Sequence, residues 1–294
     1  MIRLENVGLA SPEQMEFIIE GMRNPMNSWE KSDSYAGHEY MGTGNEYFKL
    51  GENDNSLMQR LSDAGTEHRK YMRMMPVYVR ITAPLYWWKE FDTYKIGTVA
   101  NSCSTMHKIA EKEFTLEDFS CEHLGVFIPA EKNGGVEDYK NLWIASLEET
   151  IDYLNVARTF YNRETDPKLK KDYWWQLIQL LPSSYNQTRN VMLNYEVLAN
   201  IYRQRKNHKL DEWREFCKWI EGLPYSELIV DQGVDYCRKT LGCLSPMLEP
   251  GYAYAQNECI NPDVGKISKD TDRDTLPKKA IFGSPMGQGG KYDI

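Results

Sequence analysis

VRITAPLYWWKEFDTYKIGTVANSCSTMH, running from Val79 to His107, decides how the rest of the chain is read. Val77, Val79 and Ile81 alternate with Tyr78, Arg80 and Thr82, the period-two pattern of a half-buried strand. Pro84 removes a ladder donor and ends that strand, and it pushes Ala83 toward an extended conformation. A dense aromatic and charged block follows, from Tyr86 through Trp87, Trp88, Glu90 and Phe91 to Tyr94 and Lys95. The stretch closes on the small polar run Asn101-Ser102-Cys103-Ser104-Thr105. A segment serving only the core would not place so many donors and acceptors directly after a strand. It reads as a site.

The chain of 294 residues carries 8 Trp and 19 Tyr, enough aromatic surface for a substantial core despite a mean hydropathy of -0.62. Its net charge of -8 argues against a nucleic-acid coat, because counterion release needs a basic face. An anionic ligand must therefore meet a local cluster of Lys and Arg. There is no signal-peptide core, and no apolar run approaches the ~18 residues that span a bilayer, so the expectation is a cytoplasmic protein without a membrane partner. The six cysteines form no CxxC pair and no zinc-type cluster, which predicts free thiols and no metal. Cys103 lies in the polar run, where a small gap-filling side chain is the simpler reading than a nucleophile.

Residues 2–8 suggest an edge strand, and Ser11-Pro12-Glu13-Gln14 is a capping-box opening for a helix with Met15, Ile18, Ile19 and Met22 on its apolar face. Residues 24–55 are polar and too long for an ordinary connection, so they read either as a functional lid or as partly disordered. Asn55 is placed as the cap of a helix from Ser56 to Met72. In the second half, Tyr139, Trp143, Leu147, Ile151, Leu154 and Ala157 follow a 3.6-residue period. Further helices are expected over Lys168–Leu181, Tyr185–Arg205, Leu210–Glu221 and Ser226–Thr240. Beyond Leu244 the composition turns to Gly, Pro, Asp and Lys, too poor in apolar residues to fold alone. The expected organisation is one domain over residues 1–244 with a tail over 245–294, of α+β class: a small mixed or antiparallel sheet packed by long helices.

At the central block and again at Leu181-Pro182 the sequence resembles the flavin-dependent thymidylate synthases (ThyX). Ala83-Pro84-Leu85-Tyr86 is similar to that family's lead into its aromatic run, and Asn101 and Ser104 match the Asn and second Ser of its polar motif. In the second half, Leu181-Pro182, Asn194, Asn200 and Arg205 keep the family spacing without a gap, and His208 to Trp213 is an approximate match. The resemblance covers about residues 55–225. It departs where the family's Arg-His-Arg becomes Thr93-Tyr94-Lys95, and where the Glu and terminal Arg of the polar motif become Ser102 and Met106.

The resemblance implies a homotetramer that makes dTMP from dUMP with FAD, NADPH and methylenetetrahydrofolate. It implies Asn194, Asn200, Lys95 and Asn101 around the flavin, and Ser104, Thr105, Glu90 and Arg205 around the nucleotide, with Arg205 and Ser104 as the catalytic pair. A fixed amide offers donor and acceptor to the isoalloxazine edge, and a guanidinium takes phosphate bidentately. Plainer readings stand beside these: a polar helix face for Asn194, Asn200 and Arg205, a helix cap ahead of Met106–Glu113 for Ser104, a surface Lys for Lys95, and core packing for Trp87 and Trp88. The lost cations leave open a descendant that binds nucleotide without catalysis, or a pyrimidine C5 hydroxymethyl transferase.

Overall fold

The computed structural model describes residues 2–38, 46–125 and 136–230, without side chains for His38 and residues 136–142. Among the described residues six strands are formed: β1 (Arg3–Leu9), β2 (Tyr35–His38), β3 (Glu46–Lys49), β4 (Pro76–Pro84), β5 (Val99–Ser102) and β6 (Asn186–Asn194). The helices are α1 (Pro12–Arg23), α2 (Glu52–Asp63), α3 (Tyr71–Met74), α4 (Leu85–Phe91), α5 (Thr105–Lys108), α6 (Val136–Arg163), α7 (Pro167–Leu180), α8 (Tyr195–Arg205), α9 (Asp211–Glu221) and α10 (Glu227–Val230). Strands β1, β4, β6 and β5 pair in that order into one antiparallel sheet, with β4 as a central strand that has proline at both ends. The fold class is α+β, as the sequence implies.

Alternation in β4 gives the sheet two different faces. Val77, Val79, Ile81 and Ala83 are fully buried and join Val191 and Leu193 of β6 in the main core. Helices α1, α3, α4, α8 and α9 pack on this closed face, bringing Ile18, Trp87, Trp88, Leu198, Trp213 and Phe216 into the same cluster. A second core lies under the α6–α7 hairpin, where Leu147, Ile151, Leu154 and Leu177 cover Phe114 and Phe119. Among the described residues, no helix is long and apolar enough to cross a membrane.

The edge strand and the capping box of Ser11 with Gln14 form as expected, and Met15, Ile18, Ile19 and Met22 are buried. The Tyr185–Arg205 helix is corrected: its first half is β6, which pairs residue for residue with β4 from Asn186↔Pro84 to Asn194↔Pro76. Those ladder bonds, and Val191 and Leu193 pointing inward, outweigh helix formation there. The Ser56–Met72 helix is also corrected. It starts at Glu52 without a cap from Asn55, and it stops near Gly65, whose φ of 119° a side chain would resist. The helix expected over Met106–Glu113 is only the single turn α5. Of the last helix, α10 is seen and residues 231–294 lie outside the described residues, as do the glycines at 42 and 44.

The segment ahead of α2 is held in place by Asp54. The Asp54 carboxylate is fully buried and pairs with Arg23 Nε at 2.6 Å. It also accepts from the Ser32 and Ser34 hydroxyls and from the backbone N–H groups of Asp33 and Ser34. Asp33 in turn caps α2 by accepting from the N–H groups of Asn53 and Asp54, at 2.9 and 3.1 Å. Gly51 sits against this knot: a Cβ there would overlap the Asp33 carboxyl and come within 2.5 Å of its carbonyl oxygen. Gly51→Ala should therefore cost about 1–3 kcal/mol, since Asp33 cannot retreat without uncapping α2. A denaturant midpoint equal to that of the unchanged protein would show that the loop yields freely.

Candidate functional site

The two sequence blocks that carry the motifs meet in the fold. Arg205, at the C-terminal end of α8, donates from Nη1 to Glu90 Oε2 on α4 at 2.9 Å and from Nε to the Tyr94 hydroxyl at 2.9 Å. Its guanidinium lies 4.9 Å from the Trp213 ring centroid, within cation–π reach. The Glu90 carboxylate also accepts from Trp213 Nε1 at 2.9 Å, and His208 Nε2 lies 3.4 Å away. Beside this hub the Tyr86 hydroxyl donates to buried Glu212. Burial and then this carboxylate push the Tyr86 hydroxyl above its ordinary range.

Asn194 is the N-cap of α8. Its Oδ1 accepts from the Val197 N–H at 3.0 Å and its Nδ2 donates to the Gly97 carbonyl at 3.4 Å. Asn200, six residues on, accepts from Gln204 Nε2 at 3.0 Å. Asn194 and Asn200 thus bracket the start of a helix whose far end carries Arg205. Lys95 is exposed in the turn between Tyr94 and Gly97. Arg189 closes the arrangement, stacking 4.2 Å above the Trp88 ring and pairing with Asp92 at 3.2 Å.

Asn101, Ser104 and Thr105 lie elsewhere, along the edge strand β5 and the turn after it. Asn101 pairs across the ladder with Asn190 and belongs to the sheet's open face. Ser104 caps α5, accepting from the His107 N–H at 3.1 Å. The structure therefore gathers Glu90, Lys95, Asn194, Asn200 and Arg205 on the helical side of the sheet, and Asn101, Ser104 and Thr105 along the edge strand. Trp87 and Trp88 are fully buried core residues. Cys103 is exposed, whereas Cys217 is buried and its thiol is pushed up to about 12, chiefly by burial. Among the described residues, no group of three His, Cys, Asp or Glu side chains could hold a metal.

No known family profile matches the chain, and no curated protein matches it significantly. Solved structures do. The Helicobacter pylori Thymidylate Synthase X (ThyX) with FAD and dUMP is 16% identical with a TM-score of 0.49, covering 79% of this chain and 98% of that one. The UMP/dUMP methylase PolB from Streptomyces cacaoi, bound with 5-Br UMP, is 13% identical with a TM-score of 0.47, covering 76% of this chain and 88% of that one.

Sequence reasoning singled out Arg189 only as one of several cations that could compensate for the lost motif, and it missed the stacking of Tyr94 and Trp213 on Arg205 and the hub role of Glu90. Their signal was the density of aromatics beside single charges, which the fold uses as stacking partners for guanidinium groups.

Proposed function

We propose that this chain is a flavin-dependent enzyme acting on C5 of a pyrimidine nucleotide, its reaction the reductive methylation of dUMP to dTMP with NADPH and methylenetetrahydrofolate. The observation that carries this reading is the direct packing of the two motif blocks. Residues 97 to 115 positions apart are joined by Asn194–Gly97, Arg205–Tyr94 and Arg205–Glu90 hydrogen bonds. Asn194 and Asn200, with Lys95, form the flavin side. The fit is supported by Asn200, whose amide nitrogen makes no hydrogen bond among the described residues, and by Lys95, an exposed cation without an ion pair among them. FAD, once reduced by NADPH, would supply the hydride. Arg205 has its charge already matched by Glu90, so it would orient the nucleotide rather than neutralise its phosphate. Incubation with dUMP, FAD, NADPH and methylenetetrahydrofolate should yield dTMP by mass. A product carrying a hydroxymethyl group would instead show altered chemistry.

Because the flavin side and Asn101 lie on opposite sides of one sheet, a complete site draws them from two subunits of a homotetramer. The α6–α7 hairpin offers a surface for one such contact: Tyr153, Val156 and Phe160 form an exposed stripe on α6, and Phe160 stacks on Tyr173 of α7 at 5.3 Å. Its charges are polarised. Glu148, Glu149 and Asp152 lie at one end, while Arg158, Arg163, Lys168, Lys170 and Lys171 outnumber Glu164, Asp166 and Asp172 at the other. Two copies packed antiparallel about a two-fold axis would set acidic end against basic end. Changing Glu148, Glu149 and Asp152 to Lys should weaken association, and adding the reverse changes at Lys168, Lys170 and Lys171 should restore it. A wild-type monomer by light scattering at micromolar concentration would remove the shared-site reading.

A further inference from the structure

The open face of the sheet carries a cleft of about 260 Å³ whose lining is ordered by the ladder into two rows. Arg80 of β4, Asn190 of β6 and Asn101 of β5 stand side by side in register, and next to them Tyr78, Met192 and Val99 form a parallel apolar row. Beside Tyr78 on β1 stands Gly8, which leaves that end open, and Asn6 lines the cleft from the β1 bulge. Arg80 makes no ion pair among the described residues; its Nε donates to Asn190 Oδ1 at 3.4 Å. Glu5 is its ladder neighbour and does not pair with it.

We propose that this polar row is the nucleotide's seat: Arg80 takes the 5′-phosphate, and the carboxamides of Asn101 and Asn190 read the pyrimidine edge while the base rests on Tyr78 and Met192. The inference rests on the pyrimidine-nucleotide reading above and adds to it Arg80, Asn190, Tyr78 and Met192, which no motif marks. An imide edge presents acceptor, donor and acceptor, which a carboxamide answers with one donor and one acceptor. From β4 to β5 is two strand spacings, roughly 10 Å, a distance a nucleoside monophosphate spans once the Arg side chain reaches toward it. At about 260 Å³ the cleft is too small for a dinucleotide such as FAD, whatever mononucleotide it holds. An unpaired guanidinium on an acidic protein is a local attractor for an anion.

Calorimetry on the full-length protein with dUMP and with deoxyuridine tests this. Arg80→Ala and Arg80→Gln should each weaken dUMP at least tenfold and weaken deoxyuridine much less, because the phosphate contact belongs to dUMP alone while Asn190 loses only its bond from Arg80. Asn101→Ala should weaken both ligands. Arg80→Gln keeps most of the side-chain stem, so a folding defect in Arg80→Ala alone does not decide the outcome. Wild-type dUMP affinity in both folded Arg80 variants, with dUMP-stimulated NADPH oxidation intact, would overturn the seat while leaving the function standing. Failure of the wild-type protein to bind dUMP, UMP or dCMP would overturn both.

Discussion

Asp54→Ala should lower stability by about 3–5 kcal/mol, the cost of leaving a buried charge without its partner. The partner is Arg23, which is itself buried and whose Nε lies 2.6 Å from the lost carboxylate. The same substitution removes the acceptor for Ser32, Ser34 and the Asp33 N–H, so the segment before α2 should loosen with it. Burial alone would raise the Asp54 carboxyl, yet the hydrogen bonds from Ser34, Ser32, Arg23 and the Asp33 backbone outweigh it and hold the group below its ordinary range. The sign follows directly. A depressed folded-state value stabilises the protein fully above the unfolded value of ~3.9, and this is lost as pH falls toward the folded value. The stability gap between wild type and Asp54→Asn should therefore be widest near neutral pH and narrow below about pH 4. An Asp54→Ala protein melting within ~1 kcal/mol of wild type would mean that the knot carries no net stability.

Trp87→Ala is the second large effect, about 3–5 kcal/mol, because it empties a fully buried site against Trp88, Phe91, Trp213 and Phe216. Trp87→Phe should cost far less. Trp87 Nε1 has no hydrogen-bond partner among the described residues, so Phe fills much of the space while removing a buried, unsatisfied donor. Chemical denaturation of both variants separates the two contributions. If Trp87→Ala instead kept its stability and lost flavin binding, the ring would be a ligand platform and not core.

Much of the fold was legible because hydrophobic period and caps agree over long stretches. The alternation around Val79, the Ser11 capping box, the Leu147–Ala157 stripe and the Pro167 start each point to the element that forms. Strand β6 was hidden because Gln187 and Arg189 occupy two of its inward positions. Both are polar, and they find their partners in Cys103 and Asp92 rather than in the core. Asn194 was read as part of a helix face because its distance from Arg205 is a whole number of turns, whereas its short side chain makes it the cap. Of the candidate site, the Asn and Arg landmarks could be read from spacing. The Glu90 hub and the Arg80 row could not, because each is assembled by strands and helices a hundred residues apart.

The central claim is tested most directly by adding excess FAD to the purified protein, recording the flavin absorption, and then following NADPH oxidation with and without dUMP. The account predicts a bound-flavin band and oxidation that dUMP accelerates. A protein that stays colourless under excess FAD, yet still binds dUMP, would contradict it.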